Sequence, residues 1–345
     1  MKHSWNIILV CLILQACTAE LIGPQPTDPT VPSDVKGRKV YLVNEGNFGR
    51  GGASISAYVP KTKTHYPSLF SGANNGQQIG DVAQDLERHG DRYYAVLNAS
   101  GYIGVLDTTD LKLLDSISGS FNAPRYFTNF EETGFVTDLF ANKLWVIDLA
   151  ANELTGSIPL PSSGSHLIAW NNYIAVCISD QLALVDPLSL QLDTLINLNS
   201  QLDRLRISAE GSLLVLTKGK GNLSAQLSSI DEQLQPEWTY SITNGSPRYL
   251  SLNAQSDYPH VVLGDGVYQL KHHNGQNFNL HRIIELTDEN VYAFDIDPFT
   301  GDMYLANALD FDQASDLYRF DSTGVLMDQF KAGIITTDFH FTPAP

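Results

Sequence analysis

The chain has 345 residues, of which 43% are hydrophobic and 17% are charged. This composition is typical of a globular protein with a substantial core, and it argues against a disordered or coiled-coil chain. The net charge of −17 has the wrong sign for binding nucleic acid or for direct adhesion to an anionic lipid surface.

The first residues have the pattern of a signal peptide. Lys2 and His3 precede the apolar run Ile7–Leu14, which is too short to cross a bilayer as a mature helix. The following Leu-Gln-Ala-Cys, which ends at Cys17, resembles the lipobox of bacterial lipoproteins, whose cleavage leaves a lipidated cysteine. We expect a signal peptide over residues 1–16 and lipidation of Cys17; a plain secretory peptide with an incidental cysteine is the alternative.

A spacer is predicted next. Residues 17–37 contain four prolines among small and polar residues, and such segments are extended and semi-rigid. Loss of Cys11 with the signal peptide and lipidation of Cys17 would leave Cys177 alone in the folded domain, so no intrachain disulfide is expected. Cys177 lies in the apolar run Tyr173–Ile178, which is typical of a buried structural thiol.

A repeat runs through the rest of the chain. Short apolar runs that end in aspartate recur at intervals of 41, 38, 45 and 90 residues, the last being twice 45. Their acids are Asp107, Asp148, Asp186, Asp231 and Asp321. Each unit holds four short runs of β-forming residues separated by Gly, Asn, Asp or Ser, which predicts strands and hairpins rather than helices. Units of this size predict the blades of a β-propeller.

The repeat count and the two ends of the repeat region predict closure into a ring. Members that lack the acid bring the number of units to seven. The first unit, from Lys39, opens on the strand that is second elsewhere, and residues 335–341 supply its missing strand. We therefore predict an all-β, seven-bladed β-propeller over residues 38–345, closed by the C-terminal strand, which removes exposed sheet edges. A two-domain β-sandwich protein explains neither the period nor the displaced strand.

The sequence shows no familiar catalytic or metal-binding motif. The densest histidines, His272, His273 and His281, are better explained by a surface hairpin, because adjacent side chains of a strand point to opposite faces. The acids of residues 295–302 fit a turn better than a calcium loop, and the repeated aspartates fit the starts of hairpins. We expect no enzymatic activity, no cofactor and no metal site.

A binding surface is expected at one mouth of the central channel. In a propeller, the loops before each innermost strand and after each second strand open on the same side. Arginines, amides and aromatics at these positions suit a large polar ligand with flat faces. The predicted ligand-binding residues are Asn44, Asn47, Phe48, Asp81, Asn98, Tyr102, Arg125, Tyr126, Asp138, Phe140, Arg204, Arg248, Tyr249, Asn307 and Phe311. Arg125 and Arg248, in twin Pro-Arg-Tyr motifs, are equally well explained as ion-pair partners between blades.

Several of these segments resemble a known family. The segments Asn44–Gly49, Gly80–Asp85, Pro124–Tyr126 and Val136–Asp138 are similar to those of Bacteroidetes surface lipoproteins with YncE-like seven-bladed propellers, among them the BtuG family. Members of that family capture cobalamin outside the cell and hand it to a TonB-dependent transporter. The resemblance, over about residues 38–341, implies corrinoid capture at the outer face of the outer membrane.

We therefore expect a non-enzymatic, lipid-anchored surface protein that captures cobalamin or a related corrinoid and delivers it to a TonB-dependent outer-membrane transporter. Nucleic acid is not expected as a partner. The alternatives are a surface propeller that binds a protein partner or a glycan and, less favoured, a propeller lactonase or other hydrolase.

Overall fold

The computed structural model describes residues 37–253, 258–273, 276–287 and 290–343. The predicted signal peptide, Cys17 and the spacer up to residue 36 lie outside the described residues. The helix α1, Leu69–Ala73, is the one α-helix of the described part of the chain. No helix there is long and apolar enough to cross a membrane.

In the described residues, twenty-eight strands form seven antiparallel sheets of four strands each, which are the blades of a β-propeller. Blade 1 holds β1 (Val40–Asn44), β2 (Ser54–Val59), β3 (Thr64–Tyr66) and the last strand, β28 (Thr336–Phe341). Blade 2 holds β4 (Ala83–His89), β5 (Arg92–Leu97), β6 (Tyr102–Asp107) and β7 (Leu113–Ile117). Blade 3 holds β8 (Pro124–Phe130), β9 (Thr133–Asp138), β10 (Lys143–Asp148) and β11 (Glu153–Pro159).

The remaining four blades follow the same order from the innermost to the outermost strand. Blade 4 holds β12 (Leu167–Trp170), β13 (Tyr173–Ile178), β14 (Gln181–Asp186) and β15 (Gln191–Asn197). Blade 5 holds β16 (Leu202–Ile207), β17 (Leu213–Thr217), β18 (Ala225–Ile230) and β19 (Pro236–Ile242). Blade 6 holds β20 (Arg248–Leu252), β21 (Pro259–Leu263), β22 (Gly266–His273) and β23 (Gln276–Glu285), and blade 7 holds β24 (Val291–Ile296), β25 (Met303–Asn307), β26 (Ala314–Phe320) and β27 (Leu326–Ile334).

The predicted closure of the ring is confirmed. Strand β28 pairs with β1 in a register that sets Val40 opposite Phe341 and Asn44 opposite Thr336. The backbone N–H of Glu45 also donates to the carbonyl of Ile335, at 2.9 Å. The C-terminal strand is therefore the innermost strand of blade 1, and the sheet of that blade joins the two ends of the repeat.

The core consists of apolar layers between neighbouring blades. Each second strand is buried on both faces, as in β13, whereas the outermost strands are more exposed, and in some of them, such as β15, exposed and partly buried residues alternate. Aromatic rings connect neighbouring blades within these layers: Tyr94 of blade 2 stacks on Phe127 of blade 3, with ring centres 4.9 Å apart, and Tyr41 of blade 1 meets Tyr93 of blade 2 edge-on at 5.4 Å. The described residues form seven apolar clusters, one between each pair of neighbouring blades.

The repeated aspartates begin the hairpins to the outermost strands, as predicted. Asp148, for example, accepts hydrogen bonds from the backbone N–H groups of Ala150 and Ala151, at 2.9 and 3.0 Å. Asp297 makes the corresponding turn contact with the N–H of Phe299, at 2.9 Å, so that part of the turn interpretation is confirmed. In the described residues, no group of three or more His, Cys, Asp or Glu side chains is arranged to hold a metal ion.

Two further interpretations of the sequence are confirmed. Cys177 is fully buried in β13, and burial raises the pKa of its thiol well above the ordinary range. The ring of His272 lies on the β22–β23 hairpin at the outside of blade 6, 5.1 Å from the ring of Trp238.

Candidate binding site at the channel mouth

A shared irregularity of the innermost strands shapes one mouth of the channel. Six of them carry a shift in register at their first residues, where one strand has an extra residue. Such β-bulges turn side chains away from the regular pleat. The bulge residues are Gln84, Tyr126, Asp203, Tyr249, Tyr292 and Thr337. All six line one cavity at the mouth, so a repeated backbone feature builds this site.

This mouth cavity has a volume of about 250 Å³. Besides the six bulge residues, it is lined by Arg125, Ser165, Gln201, Leu202, Arg204, Lys218 and Arg248. The lining thus contains four cationic side chains but one carboxylate, that of Asp203. The Nζ of Lys218 lies 2.8 Å from Asp203, which also accepts the N–H of Tyr249, at 3.2 Å. Three guanidinium groups remain beside this pair in a chain with a net charge of −17.

Arginines and tyrosines alternate along one wall of the cavity. The Cζ of Arg204 lies 5.4 Å from the ring centre of Tyr126 and 5.6 Å from that of Tyr249. Arg125 lies 5.4 Å from the Tyr126 ring, and Arg248 lies 6.0 Å from the Tyr249 ring. These distances are those of cation–π contacts, which hold a guanidinium by its face. We call these five residues the Arg–Tyr stack.

The opposite wall is a network of hydrogen bonds around Glu45. Tyr292 Oη donates to Glu45 Oε1 at 3.2 Å, and Gln84 Nε2 donates to the same atom at 3.4 Å and to Thr337 Oγ1 at 3.3 Å. Burial raises the pKa of Glu45, although these hydrogen bonds oppose the shift. Burial likewise raises the pKa values of Tyr249 and Tyr292 above the ordinary range. Both phenols therefore stay protonated at neutral pH and can donate hydrogen bonds to a ligand.

Beneath the mouth lies a channel cavity of about 280 Å³, and Tyr126, Arg204, Tyr249 and Thr337 line both spaces. Its acids are Asp85, Glu87, Asp295 and Asp338. The Nη2 of Arg206 lies 3.3 Å from the Oδ2 of Asp295. Asp295 therefore lies in the channel and not in the turn that the sequence predicted for residues 295–302. The mouth is thus cationic, and the channel below it is acidic.

Desolvation in the narrow channel raises the pKa values of two of these acids, Glu87 and Asp338. It raises the pKa of Glu87 to about 8, with a contribution from the charge of Asp338, although the Glu87 side chain remains exposed to solvent in the channel. Burial and the charge of Asp295 raise that of Asp338 to about 6. Each carboxyl thus holds a proton more tightly in the folded protein than in the unfolded chain, in which the ordinary values are 4.5 and 3.8. Their contribution to stability is present at low pH and is lost as the pH rises.

We expect a small fall in the melting temperature between pH 6.5 and about 8, because the folded protein still holds the Glu87 proton that the unfolded chain has already released, and solvent in the channel screens the effect. Below pH 6.5, buried histidines such as His65, His260 and His340, whose pKa values burial lowers to about 4, destabilise the fold as the pH drops. Calorimetry at pH 6.5 and 8 should show a smaller fall for Glu87→Gln than for wild type, and an unchanged fall for the exposed Glu153→Gln. A wild-type slope in Glu87→Gln would contradict the assignment.

The structure divides the predicted ligand-binding residues into three groups. Arg125, Tyr126, Arg204, Arg248 and Tyr249 line the mouth cavity. A second group lies in the loops after second strands, outside the cavity lining but on the same side of the propeller: Asn47, Phe48, Phe140 and Phe311. Phe48 and Phe140 are 80% and 73% exposed. We call this second group the rim.

The third group consists of side chains that are hydrogen-bonded within the fold: Asn44, Asp81, Asn98, Tyr102, Asp138 and Asn307. The fully buried Asn44 joins β1 to β28, because its Oδ1 accepts from Thr336 Oγ1 at 2.7 Å and from the N–H of Gly333 at 3.2 Å. Asn98 Nδ2 donates to the carbonyl of Pro124 in the next blade, at 2.9 Å. None of the six lines the mouth cavity. Their hydrogen bonds within the fold give these side chains a structural role.

Eight lining residues are absent from the set predicted from sequence: Ser165, Gln201, Leu202 and Lys218 and, at the bulge positions, Gln84, Asp203, Tyr292 and Thr337. The repeat could have identified the last four, because each of them occupies the bulge position of its innermost strand.

Within the described part of the chain, the arginines of the twin Pro-Arg-Tyr motifs have no ion-pair partner in a neighbouring blade. Arg248 Nη2 donates to the carbonyl of Val291 in blade 7, at 3.3 Å. Among the described residues, however, no carboxylate lies within 4.0 Å of a nitrogen of Arg125, Arg204 or Arg248.

Comparisons with known proteins agree with the fold. A family model described as a domain of unknown function, DUF5074, matches residues 38–335. Comparison with curated proteins gives no match. Among solved structures, a quinonprotein alcohol dehydrogenase-like protein from Bacteroides thetaiotaomicron superimposes with a TM-score of 0.68 and 14% identity, over 89% of this chain and 78% of the other.

Two provisionally assigned 6-phosphogluconolactonases are similar as well. The protein from Bacteroides fragilis has a TM-score of 0.66 and 16% identity, over 90% of this chain and 99% of its own. That from Bacteroides uniformis has a TM-score of 0.67 and 17% identity, over 88% of this chain and 99% of its own. At these identities the likeness establishes a shared propeller fold, while the chemistry of the site has to be argued from its residues.

Proposed function

We infer the function from the site itself, because the chain belongs to DUF5074, a family described only as a domain of unknown function. We propose a non-enzymatic protein that captures a large polar ligand at the channel mouth. The observation that carries the proposal is the mouth cavity, where three arginines without carboxylate partners among the described residues meet three tyrosines. Flat guanidinium and phenol groups around a concave surface are suited to a ligand with planar parts and many hydrogen-bonding groups.

The specific ligand we propose is cobalamin or a related corrinoid. This choice rests on the similarity of four segments to Bacteroidetes lipoproteins that capture cobalamin. Three of these segments, around Glu45, Gln84 and Arg125, contribute directly to the mouth walls. A corrinoid presents amide side chains and a planar macrocycle, which match the donors and aromatic rings of the mouth. The cavity alone is smaller than such a ligand, so the exposed rim would contact the parts that protrude.

The position at which the chain enters the propeller, at the start of β1, suits capture of a ligand from outside the cell. Val40 pairs with Phe341 at the end of the channel opposite the mouth, whereas Asn44 and Thr336 pair at the mouth end. A tether through Cys17 would therefore hold the propeller by the face opposite the mouth. Such a tether would let the propeller take its ligand from the medium and turn toward a TonB-dependent transporter in the same outer membrane.

A protein partner is the second candidate function, and one observation favours it. The rim exposes Phe48 and Phe140 almost fully, and exposed aromatic residues are enriched at protein interfaces. A transporter and a ligand can both use this face, so the two candidates are compatible. The presence of provisionally assigned lactonases among the structural neighbours makes lactone hydrolysis a third activity to assay.

The test is co-elution with cyanocobalamin. We expect the purified protein at micromolar concentration to carry the visible absorbance of cyanocobalamin through gel filtration. The double variant Arg125→Gln/Arg248→Gln should bind at least about tenfold more weakly, since it removes two of the three guanidinium groups that have no carboxylate partner among the described residues. Arg282→Gln, on the outermost strand β23, is the matched control and should bind like wild type. Absence of binding, or hydrolysis of 6-phosphogluconolactone without corrinoid binding, would overturn the proposal.

A further inference from the structure

The charge of the mouth has a consequence for the chemistry of the ligand. Four cations line the cavity. The nearby acids are Asp203, which is paired with Lys218, Glu45, which is buried beneath Tyr292 and Gln84, and Asp338 of the channel, whose charge interacts with that of Arg204. With all three acids ionised, one positive charge would still be in excess. An unneutralised group of arginines is costly to maintain in a folded protein, and a bound anion would relieve their repulsion.

The Arg–Tyr stack leaves the hydrogen-bonding edges of its guanidinium groups available. Stacking uses the faces of the guanidinium planes, and the N–H donors lie in those planes. Arg204 Nη1 donates one hydrogen bond, to the carbonyl of Asp203 at 3.2 Å, and Arg248 donates one to Val291. Arg125 Nε is buried and has no hydrogen-bond partner among the described residues. A buried N–H without a partner is uncommon in folded proteins and indicates a missing acceptor.

The acceptor that fits is a tetrahedral oxyanion. A guanidinium edge pairs with phosphate through two parallel hydrogen bonds, and rigid, stacked arginines lose little entropy on making them. The phenols of Tyr249 and Tyr292, which stay protonated, add neutral donors, and the tyrosine faces can hold a planar part of the same molecule.

We propose that the mouth recognises a phosphate group of an organic ligand, and that Arg125 and Arg204 hold this group. The proposal rests on the proposed function, because it assigns a chemical class to the ligand of the same site. The phosphate proposal goes beyond the proposed function because it requires a phosphate group on the ligand whether or not that ligand is a corrinoid.

Matched pairs of ligands that differ in a phosphate group provide the test. Titration calorimetry would compare cobinamide with cobinamide phosphate, and riboflavin with flavin mononucleotide, on the purified protein. We expect the phosphorylated member of at least one pair to bind about tenfold more tightly or better, as is typical for charge-assisted hydrogen bonds. Arg125→Gln should remove this preference, whereas Arg282→Gln should retain it. The melting temperature of each variant would show that it is folded.

Each outcome decides the proposal. Equal binding within both pairs, a preference that survives in Arg125→Gln, or no binding of any phosphorylated member at millimolar concentration would overturn it. Equal, tight binding of the two cobinamides would overturn the phosphate inference but leave corrinoid capture standing. A preference for flavin mononucleotide without any corrinoid binding would support the phosphate inference and overturn corrinoid capture.

Discussion

A chain that ends after Gly333 is expected not to fold into the propeller. This truncation removes β28, the innermost strand of blade 1, and leaves both β1 and the neighbouring blades without their partner. Phe339 of β28 is 5% exposed, and its ring lies 6.0 Å from that of Tyr304 in blade 7. Removal of one such phenylalanine typically costs about 3–5 kcal/mol, and a domain is stable by only about 5–15 kcal/mol. Loss of the whole strand should therefore abolish cooperative melting.

Two controls separate closure from a general sensitivity to shortening. Removal of residues 18–37 should leave a cooperative transition like that of the intact protein. Because a truncated chain can aggregate, the point variant Phe339→Ala provides a second measure, with an expected loss of about 3–5 kcal/mol. Met327→Ala, on the exposed outermost strand β27, should change stability by less than about 0.5 kcal/mol. Similar melting of the two truncations would contradict the closure.

The variant Asp138→Leu is expected to lose about 4 kcal/mol or more of stability. The carboxylate of Asp138 is fully buried and accepts four N–H groups. Its Oδ2 binds the N–H of Asn122 at 2.8 Å and Trp145 Nε1 at 3.1 Å, while its Oδ1 binds the N–H groups of Ala123 and Phe140 at 3.1 and 3.0 Å. Leucine would leave all four donors without an acceptor. Two of them, the N–H of Ala123 and Trp145 Nε1, are buried, and each of these costs about 1–3 kcal/mol.

Denaturant unfolding of the Asp138 variant would distinguish a structural role from the ligand contact predicted from sequence. Asp148→Leu is the comparison, since Asp148 is an exposed turn residue whose N–H partners can turn to water; its expected cost is about 1 kcal/mol. If Asp138→Leu unfolded like wild type but lost ligand binding, the structural interpretation would be wrong.

The fold could be predicted from sequence because its signal is repeated. Seven units with strand periodicity and regular aspartate turns each point to a blade, and the strand missing from the first unit has its counterpart at residues 336–341. Local propensity and global topology thus agree at every blade. The same repetition made the positions of the loops at the mouth predictable.

The site was only partly predictable because side-chain direction depends on the bulges. The repeat places Arg125 and Asp138 at the same end of blade 3, where Pro124 pairs with Asp138. The bulge then turns Tyr126 into the cavity, while Asp138 is buried beneath the loop that carries Phe140. Counting positions along a strand cannot show which side chain lines the cavity and which is buried, since a one-residue shift reverses the face to which a side chain points.

The most direct test of the account is a crystal structure of the protein with bound cyanocobalamin. We expect ligand density over the mouth cavity, with the phosphate within hydrogen-bonding distance of Arg125 or Arg204 and a planar part of the ligand against the ring of Tyr126, Tyr249 or Tyr292. Ligand density on any other face, or crystals that stay free of ligand at saturating cyanocobalamin, would contradict capture at the mouth.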